Sequence, residues 1–207
     1  MRNVIFDWSG VVKDAVKSQI WIVNRIFESY GVSEISQEEF RENWEQPYIL
    51  FYKKYLPEGF EKEDQSKKYR EAIFHKDCPK APSFLGIVEV IHTFKEQGLF
   101  LAVVSSDLTE TVSSEIKEYG LENVFDEIVT DVHDKYDAVC EIIKKNNLSL
   151  EDTFFVGDSN HEIDVAKKAG IKSIAVTWGF NSEQRLRDKN PDHVINSSKE
   201  LMNLILK

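Results

Sequence analysis

The feature that most constrains this chain is a set of short, β-rich apolar runs that recur with helical segments between most of them. The runs are Val4 to Phe6, Phe100 to Ser105, Glu127 to Thr130, Thr153 to Val156 and Ser173 to Thr177, with a weaker one at His193 to Ile195. Strands that are apolar on both faces must be covered on both faces, which is the condition of a parallel sheet between helices. The intervening segments have the helical spacing this requires: Ile87, Val90, Ile91 and Phe94; Val112, Ile116 and Tyr119; Val139, Ile142 and Ile143. Gly98, Gly120 and Gly170 stand just past the last periodic residues, where helices stop. The pattern predicts a doubly wound α/β fold, with ligands held at the carboxyl ends of the strands.

The alternation fails between Lys13 and Lys80. There the pattern is helical throughout, with Val16, Ile20, Val23 and Phe27 on one face and further helices expected over Gln37 to Trp44 and Glu61 to His75. Residues 14–80 are therefore expected to form a small inserted helical domain, a cap, on an α/β core made of residues 1–13 and 81–207. Hinges are expected at Asp14 and at Pro79 to Pro82. A chain of 207 residues that is 42% hydrophobic can bury both units. The many aromatics of the insertion serve first to pack it, but a cap must also face the cleft, and Arg41, Tyr48, Tyr52 and Lys53 are the candidates for reading a substrate there.

A formal charge of -10 repels nucleic acid backbones and anionic lipid surfaces, so neither is an expected partner. An anionic small molecule needs a local cation or a metal to overcome that field. Cys78 and Cys140 are far apart and outside any metal-binding spacing, and are expected as reduced thiols. The apolar run from Met1 to Phe6 is too short for a secretory signal, no stretch has the length of a spanning helix, and a cytoplasmic location is the default expectation. Monomer and homodimer are both compatible with the composition.

The carboxyl ends of the expected strands carry the chemistry. The first ends in Asp7-Trp8-Ser9-Gly10, the second in Ser105-Ser106-Asp107 and the fourth in Gly157-Asp158-Ser159, while the loop after the third supplies Lys135. Each alone is an ordinary turn or capping residue. If the strands are neighbours, two carboxylates, a hydroxyl, backbone donors and an ammonium converge on one spot.

These segments resemble the four motifs of the haloacid dehalogenase superfamily, in order. They are Val4-Ile5-Phe6-Asp7-Trp8-Ser9-Gly10-Val11-Val12; Val103-Val104-Ser105-Ser106; Lys135 in Val132-His133-Asp134-Lys135; and Phe154-Phe155-Val156-Gly157-Asp158-Ser159 with Glu162 after it. Ile174 to Gly179 and Pro191 to Ile195 are similar to the phosphoglycolate phosphatase branch, which carries a helical cap after its first motif. The resemblance implies a hydrolase of a small phosphorylated molecule. Asp7 would attack phosphorus and form an aspartyl phosphate. Magnesium would be held by Asp7, the Ser9 carbonyl and Asp158, with Glu162 binding directly or through water. Lys135, the Ser105 hydroxyl and backbone N–H groups near Ser9, Gly10 and Ser106 would bind the phosphoryl group.

One position departs from the family. Its phosphatases use a second Asp, two residues after the nucleophile, as general acid and base; here it is Ser9. Loss of such a group typically costs about 10² to 10⁴ in rate. Four readings stay open: a phosphatase using another group such as Asp14, Asp107 or a water; a phosphonoacetaldehyde hydrolase-like enzyme, to which Asp7-Trp8-Ser9-Gly10 is similar, with Lys53 or Lys54 forming a Schiff base; a metal-free 2-haloacid dehalogenase; and a phosphate-binding regulatory protein.

Overall fold

The computed structural model describes residues 2–132 and 134–207; Met1 and His133, which the sequence motifs touch, lie outside the described residues. Six parallel strands, β1 (Asn3–Phe6), β2 (Phe100–Val104), β3 (Glu127–Val129), β4 (Thr153–Gly157), β5 (Lys172–Val176) and β6 (His193–Ile195), form one sheet in the order β3-β2-β1-β4-β5-β6. Each strand lies within a residue or so of its expected place. The order reverses at β1, and a crevice at the carboxyl ends of β1 and β4 is the place where such sheets bind ligands.

After β1 the chain runs through α1 (Val16–Ser29), α2 (Gln37–Asn43), α3 (Ile49–Tyr55) and α4 (Lys62–Ile73) before rejoining the sheet through α5 (Ile87–Glu96). The helices α6 (Thr109–Glu118), α7 (Lys135–Lys145), α8 (Asn160–Ala169), α9 (Glu183–Asp188) and α10 (Ser198–Leu206) follow β2 to β6 in turn. Lys135, expected in a loop, is the first residue of α7, which the Asp134 carboxylate caps.

Alternate residues of each strand feed two separate cores, as a pleated strand requires. Val4, Phe6, Leu101, Val103, Phe154 and Val156 pack with α5, α6 and α10 on one face. Ile5, Ala102, Val104 and Phe155 pack with α7 and α8 on the other. Burying both faces explains why these strands read as unbroken apolar runs.

The helices of the insertion enclose a third core, built on Val23, Ile26, Phe27, Phe40, Trp44, Phe51 and Tyr52. One buried member comes from outside the insertion: Phe180, after β5, packs edge-on against Phe40 and Trp44. Polar clamps surround it. The Arg41 guanidinium donates to the carbonyls of Gly179 at 2.7 Å and Thr177 at 3.2 Å, and Arg185 and Asn181 both donate to the Trp44 carbonyl, at 2.7 and 3.0 Å. The two ends of the insertion are also laced together, Asp14 N–H donating to the Pro82 carbonyl and Phe84 N–H to that of Val12. No helix among the described residues is long and apolar enough to cross a membrane.

Candidate active site

The pairing of β1 with β4 continues one residue past the strand, where Asp7 N–H donates to the Val156 carbonyl at 2.9 Å. That bond sets Asp7 at the mouth of the sheet. The chain then folds back on itself: the N–H groups of Val11, Val12 and Lys13 all donate to the Trp8 carbonyl. Trp8 anchors this turn, its ring fully buried and stacked on Tyr119, and its indole N–H donating to Glu115 at 2.7 Å. Gly10 takes φ +89°, open to glycine at little cost. Space is the stronger reason for it, since a Cβ there would stand 1.9 Å from Asp158 Oδ2. A Cβ on Gly179 would meet the same oxygen at 2.1 Å, so the Asp158 carboxylate is received between two bare backbones.

Lys135 is buried to 1% exposure between two acids, its ammonium donating to Asp7 Oδ1 at 2.8 Å and to Glu162 Oε1 at 2.7 Å. Glu162 is held in place by the start of its own helix, where Oε2 accepts from the Ser159 N–H and hydroxyl in a capping box. Asp158 Oδ2 accepts from the Phe180 N–H at 2.6 Å. Carboxylate oxygens of Asp7, Asp158 and Glu162 lie within 4.8 Å of one another.

Three buried carboxylates thus lie together, and two of them share one buried ammonium. Burial pushes Asp7 up to about 7 against the pull of Lys135, and burial together with the charges of Asp7 and Glu162 holds Asp158 well above the carboxylate range. Burial is the largest influence on Glu162 and would raise it, but Lys135, His161 and the Ser159 hydrogen bond together hold that acid below its ordinary value. Desolvation opposes the charge on Lys135 too, yet its two acid partners carry it above its ordinary value. With all three acids ionised the cluster would carry more negative charge than its lysine balances, and its donors are all hard oxygens, the set that divalent cations such as magnesium prefer.

Residues 4–176 match the sequence profile of the haloacid dehalogenase-like hydrolases. The chain belongs to that family. Among relatives of this hydrolase, pyrophosphatase PpaX of Halalkalibacterium halodurans is 27% identical over 99% of this chain and 97% of its own. Phosphoglycolate phosphatase of Synechococcus elongatus is 22% identical over the same shares. A crystal structure described as a predicted phosphatase from Clostridium acetobutylicum has a TM-score of 0.83 at 22% identity, covering 100% of this chain and 99% of that one.

Above Asp7 this haloacid dehalogenase-like hydrolase has a cavity of about 240 Å³. Asp7, Ser9, Ser105, Ser106 and Asp158 line it. The Ser105 hydroxyl accepts from Asp107 N–H at 3.0 Å, which leaves its proton to donate elsewhere. Gly10 has a different part: its N–H, expected to bind phosphate, is spent on the Lys13 carbonyl at 2.8 Å inside the turn. The Ser9 hydroxyl donates to Asp107 Oδ2 at 2.5 Å, and Asp107 itself lines the cavity whereas Asp14 does not.

From the insertion, Tyr48 and Tyr52 reach the cavity wall, but Arg41 is committed to the clamp, and Lys53 and Lys54 are exposed, Lys54 pairing with Glu45. Gln19, Gln46, Tyr69, Arg70, Asp131 and Phe180 line the cavity without having been singled out from the sequence. Gln19 did leave a signal, being a buried polar residue at the spacing of Val16 and Val23 on an otherwise apolar helix face. Phe180 left none, because a lone aromatic after a strand gives no hint of which core it joins. His161, beside the acids in sequence, is not in the acid cluster.

Proposed function

We propose that this hydrolase is a magnesium-dependent phosphatase acting on small phosphorylated metabolites through Asp7. The observation that carries this reading is the cluster of Asp7, Asp158 and Glu162 around Lys135, at the mouth of a cavity of metabolite size. The naming of relatives as phosphatases supports it in the same direction.

Asp7, Asp158 and the Ser9 carbonyl would hold the ion. Glu162, whose two oxygens are already occupied by Lys135 and Ser159, would touch it only at second hand and serve mainly to fix the lysine. The chemistry a bound magnesium supplies is neutralisation of charge between an anionic nucleophile and an anionic phosphoryl group. Asp7 then attacks phosphorus, the phosphorus to leaving-group bond breaks, and the phosphoryl group rests on Asp7 until water displaces it. Lys135 neutralises a phosphoryl oxygen, and the Ser105 hydroxyl with the N–H groups of Ser9 and Ser106 donates to the others. Asp107, hydrogen-bonded to Ser9, takes the place of the missing second carboxylate: in its protonated form it gives its proton to the leaving group, and the carboxylate so formed takes a proton back from the attacking water, with Ser9 holding it in place. Residues 14–80 act as a cap that shields these steps from solvent.

A Schiff base mechanism has no support from Lys53 or Lys54, which stand in solvent away from the cavity. The test is release of phosphate from an aryl phosphate and from acetyl phosphate, with magnesium and with chelator. Turnover that needs magnesium and is lost in Lys135→Ala is expected; turnover equal to that variant in both conditions would remove the reading.

A further inference from the structure

The lining of the cavity beyond the acid cluster is unusual for a site that takes phosphorylated compounds. Among its described residues the one cation is Arg70, and its guanidinium is already engaged by Glu110 at 2.6 Å. Two acids stand there as well, the half-buried Asp107 and the exposed Asp131; Asp107 shares the field of Lys13, whose ammonium is paired with Glu115 at 2.7 Å, while Asp131 forms no ion pair among the described residues. Asp131 is set in the left-handed region at φ 62° with its N–H donating to the Asp107 carbonyl, so the two acids are tied together in one loop. The remaining polar groups are neutral: the amides of Gln19 and Gln46, the hydroxyls of Tyr48 and Ser66, which share a hydrogen bond at 3.1 Å, and the hydroxyl of Tyr69. Burial holds the Tyr69 hydroxyl well above its ordinary value, so it remains a neutral donor.

The phosphoryl group has Lys135 and a metal to meet. A second negative charge on the same substrate has only carboxylates and a guanidinium that is already paired, and like charges facing across a site discriminate against a ligand. Aromatic faces and uncharged hydrogen-bonding groups suit a ring that carries hydroxyls or amides. We propose that this hydrolase takes phosphomonoesters of an uncharged, hydroxyl- or amide-bearing ring, of the sugar or nucleoside kind, and rejects those whose organic part is anionic. The inference rests on the phosphatase reading above and narrows its substrate class. It also separates this chain from relatives whose names give pyrophosphate and phosphoglycolate as substrates.

Binding and turnover are measured apart so that the two readings can fail separately. Titration calorimetry with the Asp7→Asn protein and magnesium uses four probes: glucose 6-phosphate, uridine 5′-phosphate, 2-phosphoglycolate and 3-phosphoglycerate. At least one ring phosphate should bind tenfold tighter than both carboxylate-bearing probes. In the double variant Asp7→Asn with Asp131→Asn, asparagine keeping the left-handed backbone, the affinity for 2-phosphoglycolate relative to glucose 6-phosphate should rise at least threefold. A smaller preference, no binding by any probe, or an unmoved ratio overturns the inference. Selective binding by Asp7→Asn beside a wild-type protein that releases no phosphate from the same compounds would instead remove the phosphatase reading and leave the selectivity standing.

Discussion

A fully buried ammonium between two carboxylates tolerates truncation poorly, because its removal leaves like charges facing each other out of reach of water. Lys135→Met should lower stability by about 3 to 5 kcal/mol, the usual consequence of breaking a buried pair, and a thermal melt in chelator would read it. Gly10→Ala places a methyl group on the Asp158 carboxylate, so magnesium affinity should fall at least tenfold while the fold persists, as measured by calorimetry beside circular dichroism. Asp107→Asn should slow phosphate esters with poor leaving groups by about 10² or more and leave acetyl phosphate much less affected, since only the former need a proton. Equal losses across leaving groups would show that Asp107 merely positions Ser9. Residue types at this scale were legible in the sequence, because a strand end with Asp, Ser or Gly-Asp is informative when several converge. What could not be read was the use of each atom: that the Gly10 N–H closes a turn depends on a fold-back of several residues, and that Ser9 gives its hydroxyl to Asp107 depends on the pairing of β1 with β2 across some 98 positions of chain.

At the level of elements, the periodicity foretold the sheet well because parallel strands and their covering helices repeat one simple pattern. Shorter helices escaped. α3 and α9, seven and six residues long, offer barely two turns in which a helical period could show, and α10 opens on a polar run, Ser198-Lys199-Glu200, that delays its apolar residues to Leu201 and beyond. The docking of the insertion was also hidden, since it uses backbone carbonyls, which every residue has. Arg41 spans from α2 to two of these carbonyls after β5, and Arg185 and Asn181 answer from the other side. Arg41→Ala should therefore loosen the insertion without unfolding the sheet. Limited proteolysis within residues 30–80 should quicken severalfold while hydrogen exchange in β1 and β4 stays slow; equal acceleration in both would mean that the clamp stabilises the whole fold instead.

For the whole molecule, the surplus of buried acid links folding to pH and to ions. Asp7 has a folded value of about 7 against an ordinary 3.8, so the native state holds a proton that the unfolded chain releases between those values. Its contribution is most favourable below about pH 4 and is lost as pH rises through 7. In chelator, the stability of Asp7→Asn relative to wild type should therefore shift in favour of the variant by a few kcal/mol from pH 4 to pH 7, since each tenfold change in proton affinity is worth about 1.4 kcal/mol. A flat difference would show that the acid is not strained by its surroundings. Magnesium should remove much of that strain, raising stability by about 2.7 kcal/mol at a hundredfold excess over its dissociation constant.

Phe180 belongs to two structures at once. Its amide grips Asp158, and its ring is wedged among the aromatics of the helical insertion. If the acid cluster binds magnesium as proposed, occupancy by the ion and docking of the insertion would be two ends of one lever, and thermodynamics requires that whatever one gains from the other be returned in equal measure. Magnesium should protect the insertion from proteases, and Phe180→Ala, which empties a large buried position, should both weaken ion uptake and loosen the insertion. In such a molecule an empty site would be an unlatched one.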